Sequence, residues 1–321
     1  MPYLELLICL VSIFVGGGFL TGLADKISEK TGLGHHLMGT VFLAAVTSIP
    51  ELGAGLSAAG WQKAPDIAMG AVMGSCCFNI MILGTGDLWS RKTMMAGGRP
   101  ALLNGLSGII LISIAVLAVL GVGVPLGAIG ASSILLVIVY ILALEAARRS
   151  QAAERGAERA PGKPGELSRL WFWFSVAAAL VIVPAVWLPD IADEIARRSG
   201  ISHSLVGTFL VGAVTSTPEI IVTWHCIRAG FTHMAMANML GSNMFNMLTI
   251  APMDGVYTEG SIYRAVGPEH AVMGMFAIMM TAVVMAASRV RTARRHNPRL
   301  RWEGILICAL YLASFAYLYS V

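Results

Sequence analysis

The chain has 321 residues, of which 56% are hydrophobic and only 12% charged, with a formal net charge of +4 and a mean hydropathy of +0.74. A soluble domain is about 45–50% apolar and about 25% charged, so these proportions exclude a water-soluble globular protein and assign the chain to a lipid bilayer. The small positive charge is spread over separate loops, which gives no support to nucleic-acid binding and leaves lipid headgroups as neighbours of the basic residues.

Roughly 20 apolar residues cross a bilayer as a helix, and ten such segments are expected in an all-α integral membrane protein. In chain order they cover residues 3–24, 35–60, 65–89, 102–121, 124–146, 170–190, 203–228, 234–255, 269–288 and 303–320. The first lacks a basic lead and contains Gly16, Gly17 and Gly18, so it reads as a retained helix rather than a cleaved signal. The second carries GTVFLAAVTSIPE from Gly39 to Glu51, and the third carries GSCCFN from Gly74 to Asn79. A polar stretch from Glu145 to Arg169 follows the fifth and is too short for a separately folded domain. The seventh carries GTFLVGAVTSTPE from Gly207 to Glu219, and the eighth GSNMFN from Gly241 to Asn246.

The chain therefore carries one device twice, at an offset of 168 for the first element (219 − 51) and 167 for the second (246 − 79). His35 and His203 keep the first offset, and Asp87 and Asp254 the second. We divide the chain into a first half at 1–146 with its motif at 39–79, a linker at 147–169, and a second half at 170–321 with its motif at 204–246. Five spans in each half make the second copy enter the membrane from the opposite face, giving two inverted-topology repeats of five, an arrangement of secondary transporters. Loops after even-numbered spans hold only Lys63, Arg197, Arg198 and Arg264, leaving 18 of the 22 basic residues (22 − 4) on the other side. The positive-inside rule makes that side, and the linker, cytoplasmic, with Met1 and Val321 outside.

Ionisable side chains inside membrane segments are costly and usually functional, so Glu51 and Glu219 are the primary site candidates. Residues three and four apart share a helix face, so Thr47 and Ser48 are expected beside Glu51, and Thr215 and Ser216 beside Glu219. Pro50 and Pro218 have no backbone donor for the carbonyls of Val46 and Val214 and should kink or break each helix. Ser75 with Asn79, and Ser242 with Asn246, add hydroxyl and amide oxygens at spacing four, and glycines at 70, 74 and 241 permit close helix approach. All of these donors are hard oxygens, suited to sodium or calcium rather than zinc or copper. Cys9, Cys76, Cys77, Cys226 and Cys308 show no ligand spacing and read as small packing residues. His36, His225, His270 and His296 read as interfacial or loop residues, His233 stands opposite Asp66 in the repeat register, and Asp87 and Asp254 are expected in solvated or helix-terminal roles.

The two TSxPE elements, each followed by GS-x-x-F-N, resemble the two alpha-repeats of the cation/calcium antiporter superfamily, and the minimal prokaryotic sodium/calcium exchangers in particular. The resemblance implies that Glu51 and Glu219 are the central carboxylates. It also implies ligand roles for Thr47, Ser48, Thr215, Ser216, Ser75, Asn79, Ser242 and Asn246, backbone help from Ala44 and Gly212, and first and sixth spans that slide over a fixed core. Many such exchangers carry an aspartate at one of the positions of Asn79 and Asn246, whereas here both are amides, and GSCCFN stands where GSNxFN is usual. Two carboxylates balance one calcium or two sodium ions. The expected function is sodium/calcium antiport across the inner membrane, with calcium and sodium as cargo. No catalytic residue, cofactor or obligate protein partner is expected. The alternative is a calcium/proton or other cation/proton antiporter, and a cation channel fits less well because an inverted repeat with two broken helices suits a carrier.

Overall fold

The computed structural model describes residues 2–90, 94–95, 98–122, 125–126, 129–154, 164–199, 215–293 and 301–320. Among these the chain is helical apart from one antiparallel pair of two-residue strands, β1 (Pro125–Leu126) and β2 (Ile129–Gly130). The helices are α1 (Pro2–Thr31), α2 (Gly34–Trp61), α3 (Pro65–Trp89), α4 (Gly98–Val119) and α5 (Ala131–Glu154). They continue as α6 (Pro164–Ser199), α7 (Thr217–Ala229), α8 (Thr232–Val256), α9 (Glu269–Ala293) and α10 (Trp302–Ser320).

Among the described residues eight helices are long and apolar enough to cross a membrane, and α7 and α8 are not among them. The described part of α7 has 13 residues, because residues 200–214, on which the start of the seventh expected span falls, lie outside the described residues. Helix α8 has the length, 25 residues, but its apolar character is diluted by Asn238, Ser242, Asn243, Asn246, Thr249 and Asp254. The expected fifth span starts later than 124. The β1/β2 pair occupies that place, in a segment where Pro125, Gly127 and Gly130 disfavour helix. The expected linker is largely helical, since α5 runs on to Glu154 and α6 already begins at Pro164, leaving only 155–163 outside the described residues.

The ends of the helices follow local chemistry. Pro65 sits in the first turn of α3, where a missing N–H is harmless. Helix α7 ends at Gly230, whose φ of +81° is the left-handed conformation, and the Phe231 N–H closes back on the Cys226 carbonyl at 2.8 Å. Asp87 and Asp254 are not solvated, but both take the helix-terminal role, in the last turns of α3 and α8. Both are fully buried and hold the loops that follow their helices: Asp87 accepts from the Met94 N–H at 2.7 Å, and Asp254 accepts from the Gly130 N–H (2.7 Å), the Ser133 hydroxyl (2.7 Å) and the Ile262 N–H (2.8 Å). All five cysteines are free.

Helices α2, α3, α7 and α8 cross at the centre, with α4, α5 and α9 packed around them and α10 against α3. A Cβ on Gly241 would lie 2.5 Å from the Thr40 carbonyl oxygen, so α8 approaches α2 to a distance only glycine allows. At Gly74, by contrast, a Cβ would meet no described atom, and Thr208 and Gly212, the equivalents of the Thr40 and Ala44 that Gly241 meets, lie outside the described residues. Helices α1 and α6 lie along each other at the side of this core. The Ser12 hydroxyl donates to the Leu180 carbonyl at 3.1 Å, a pair separated by the repeat offset of 168 (180 − 12). Gly16 lies against Leu180, Gly17 against Ile221 and Gly18 against the His225 ring.

Candidate cation site

Helix α2 is not uniform. It has π-helical stretches at Met38–Leu43 and Ser57–Trp61, and its α-helical segments Ala44–Thr47 and Ile49–Leu56 meet at Ser48, whose φ/ψ of −92°/5° leaves the helical region. Ser216, at the start of α7, has the matching values −83°/8°. In each case a proline follows two residues later; at Ser48, where helix is described on both sides, the disruption expected from Pro50 is a one-residue dislocation rather than a full break. The Ser48 N–H still bonds the Ala44 carbonyl at 3.0 Å, and the Leu52 N–H bonds the Ser48 carbonyl at 3.2 Å.

The dislocation brings the two motifs together in the centre of the core. Glu51, Glu219, Thr47, Ser48, Thr215, Ser216, Ser75, Asn79, Ser242 and Asn246 are each at most 2% exposed, and Ala44 is fully buried. Gly212 and Val214 lie outside the described residues.

The serines do not serve the glutamate of their own motif, as the spacing suggested. The Ser48 hydroxyl donates to Glu219 Oε1 and the Ser216 hydroxyl to Glu51 Oε1, both at 3.1 Å. Thr47 Oγ1 donates to the Ala44 carbonyl (3.3 Å) and lies 3.4 Å from Ser242 Oγ, while Ser75 Oγ lies 3.4 Å from Ser216 Oγ. Each carboxylate is thus oriented by the opposite repeat, and neither half forms the cluster alone.

Asn243 had not been singled out as a site residue. Its Oδ1 accepts from Asn79 Nδ2 at 3.0 Å, and its own Nδ2 donates to the Cys76 carbonyl at 3.0 Å. Cys76 and Asn243 are repeat equivalents (243 − 76 = 167) and touch each other. The amide nitrogen of Asn79 is therefore occupied by Asn243, which leaves its oxygen to face elsewhere. The signal lay in GSNMFN against GSCCFN, where one repeat has an amide and the other a thiol. A second polar contact was also missed: Asn104 of α4 donates to the Thr40 hydroxyl at 2.5 Å, which in turn donates to the His36 carbonyl at 2.9 Å.

Several buried atoms in this region have no hydrogen-bond partner among the described residues: Glu51 Oε2, Glu219 Oε2, Asn79 Oδ1 and both amide atoms of Asn246. Four of these are oxygens, two of them carboxylate oxygens. A buried carboxylate oxygen without a donor is too costly to retain unless a metal cation or a proton complements it. Hard, all-oxygen donors of this kind suit calcium and sodium.

The histidines depart from expectation in part. His36 and His270 are buried, and Asp66 pairs with His270 at 3.1 Å. His225 meets the Phe14 carbonyl at 3.0 Å at an exposed position, and His203 and His296 lie outside the described residues.

Comparison with known proteins bears on the same geometry. A sodium/calcium exchanger of Methanosarcina acetivorans, MaX1, is 26% identical and covers 99% of both chains. A putative antiporter of Alkalimonas amylolytica, CaxA, is 26% identical over 92% of this chain and 91% of its own. The solved structure of the sodium-calcium exchanger NCX_Mj, soaked with sodium and strontium, superposes with a TM-score of 0.77 at 22% identity, over 98% of this chain and 97% of that one, and so shares the fold. The family model described as sodium/calcium exchanger protein matches residues 2–147 and 169–320, so this chain belongs to the sodium/calcium exchanger family.

Proposed function

We propose that this protein exchanges sodium for calcium across the cell membrane by alternating access, with Glu51 and Glu219 as the carboxylates both ions share. The observation that carries this reading is the set of unpartnered oxygens at Glu51, Glu219, Asn79 and Asn246 in a fully buried, all-oxygen cluster. The hydroxyls of Thr47, Ser48, Thr215, Ser216, Ser75 and Ser242 and the backbone of Ala44 and Gly212 complete the ligand set. Two carboxylates neutralise one calcium or two sodium ions, so the two loads exclude each other, and only a neutralised site crosses between inward and outward access.

In this reading α1 to α5 form the first half (1–146) and α6 to α10 the second (170–321), ten spans in two inverted repeats, with residues 147–169 cytoplasmic and both termini outside. Contacts between repeat equivalents, Ser12 with Leu180 and Cys76 with Asn243, support a pseudo-twofold axis through the molecule. The glycine-lined seam of α1, with small side chains that let helices slip past one another, supports sliding of α1 and α6 over the core.

The test is calcium uptake into proteoliposomes under imposed gradients. An outward sodium gradient is expected to drive uptake. Uptake driven by a proton gradient alone would replace this reading with calcium/proton exchange, which uses the same carboxylates, and uptake driven by neither would overturn antiport.

A further inference from the structure

Repeat-equivalent positions beside the site pack on each other at one end of the molecule and line a cavity at the other. Where α2 meets α8, the Met253 side chain fills the notch at Gly55, its Cε 1.9 Å from where a Cβ would stand, and Val256 Cγ2 lies 3.3 Å from the corresponding point on Gly60. The equivalents of these residues are Thr223 (55 + 168), Arg228 (60 + 168), Gly86 (253 − 167) and Trp89 (256 − 167). Those four residues line a cavity of about 780 Å³ between α3 and α7. The same helix pairing is thus filled by side chains on one side of the Glu51–Glu219 cluster, while on the other Gly86 meets Ile227 of α7 (3.2 Å from its Cβ position) and a cavity remains beside that contact.

The inner wall of the cavity carries a polar group without a partner. Thr223 is 1% exposed, and its hydroxyl has no hydrogen-bond partner among the described residues. A threonine in a membrane helix ordinarily satisfies its hydroxyl on the carbonyl four residues back. Thr21, Thr85 and Thr281 do so here, at 2.9, 2.9 and 2.7 Å. Thr223 does not, and it stands one turn beyond Glu219 on the same face of α7. At the outer rim, exposed Arg228 is held with its guanidinium 5.3 Å above the Trp224 ring. Arg228, with Arg91, Lys92 and Arg99 after α3, marks this end as cytoplasmic.

We propose that the cleft between α3 and α7 is the cytoplasmic entrance for the transported cation, and that the Thr223 hydroxyl is the ligand a hydrated ion meets before Glu219. Thr223 lines the cavity, and rotation of its buried, unpartnered hydroxyl toward it gives the ion a replacement oxygen one turn from the carboxylate as it sheds water, which an apolar wall would not. The inference rests on the antiporter reading.

Two measurements test it together. Thr223→Cys, with the unmodified protein and its five native cysteines as control, is treated with a small cationic methanethiosulfonate in inside-out and right-side-out vesicles. Modification is expected in inside-out vesicles only and slowed by calcium. Modification only from outside, or from neither side, would overturn the proposal. Thr223→Val keeps shape and removes one hydroxyl, so calcium flux is expected to fall about tenfold, the equivalent of one hydrogen bond to a charged species, while equilibrium calcium binding to the purified protein stays unchanged. Wild-type flux in Thr223→Val, or loss of binding along with flux, would also overturn it, the latter by assigning Thr223 to the binding site or the fold. If the unmodified protein moves neither calcium nor sodium, the antiporter reading fails first and takes the entrance with it.

Discussion

Neutralising one carboxylate should separate calcium from sodium. In Glu51→Gln the buried cluster keeps a single negative charge, so a bound calcium leaves a net +1 in the low-dielectric core, whereas one sodium ion is balanced. Glu51 Oε1 is held by Ser216 at 3.1 Å and its Oε2 has no protein partner, so no nearby group replaces the lost charge. Removing one partner of a buried ion pair costs about 3–5 kcal/mol, which at about 1.4 kcal/mol per decade is roughly two to three and a half orders of magnitude in calcium affinity. Glu219→Gln should behave alike, because Ser48 holds Glu219 at the same 3.1 Å. The assay is calcium titration of purified protein followed by thermal unfolding. A ligand present at about 100 times its dissociation constant stabilises by about 2.7 kcal/mol, so the calcium-dependent rise in Tm of the unmodified protein should vanish in both variants, while a smaller sodium-dependent rise persists. Full calcium stabilisation in either variant would refute the assignment of that carboxylate to the site.

Other consequences follow from the same geometry. With two carboxylates and amides at 79 and 246, calcium uptake should be insensitive to a potassium/valinomycin voltage clamp, and Asn246→Asp should introduce voltage or pH dependence; clear voltage dependence in the unmodified protein would show that charge counting does not set the stoichiometry. A cysteine placed in the linker, as in Ala157→Cys, should react with an impermeant reagent only in inside-out vesicles, since 18 of the 22 basic residues fall on that side of the expected topology. Asp254→Ala removes the acceptor of three buried hydrogen bonds and should destabilise by about 3 kcal/mol or more, measured as a lower Tm, with calcium binding per folded molecule retained. Gly241→Ala drives a Cβ to 2.5 Å from the Thr40 carbonyl; the helices must part, at a cost of about 1–3 kcal/mol, and calcium affinity should fall because Ser242 moves with them.

The sequence by itself determined the membrane class, the recurrence of one motif at a fixed offset, and which residues are candidates for the site. A glutamate inside an apolar segment has few explanations, and its recurrence at the same offset with TSxPE around it removes chance. Candidate oxygen ligands were legible for the same reason, because Ser75, Asn79, Ser242 and Asn246 recur in register on otherwise apolar segments. Spacing along a helix, however, defines only which side chains share a face and not which face of another helix lies opposite. Only the tertiary structure could therefore decide that Ser48 serves Glu219 and Ser216 serves Glu51, or that Asn243 occupies the Asn79 nitrogen. Asp87 and Asp254 illustrate the same limit: their place near helix ends suggested solvated or helix-terminal roles, and only the packing of other segments onto them decided for buried, helix-terminal acceptors. The open cleft at Thr223 and the seal at Gly55 lie further still from the sequence. Two repeats with similar local preferences can pack in two ways at opposite ends of one molecule, and that choice is made by contacts between helices far apart in the chain.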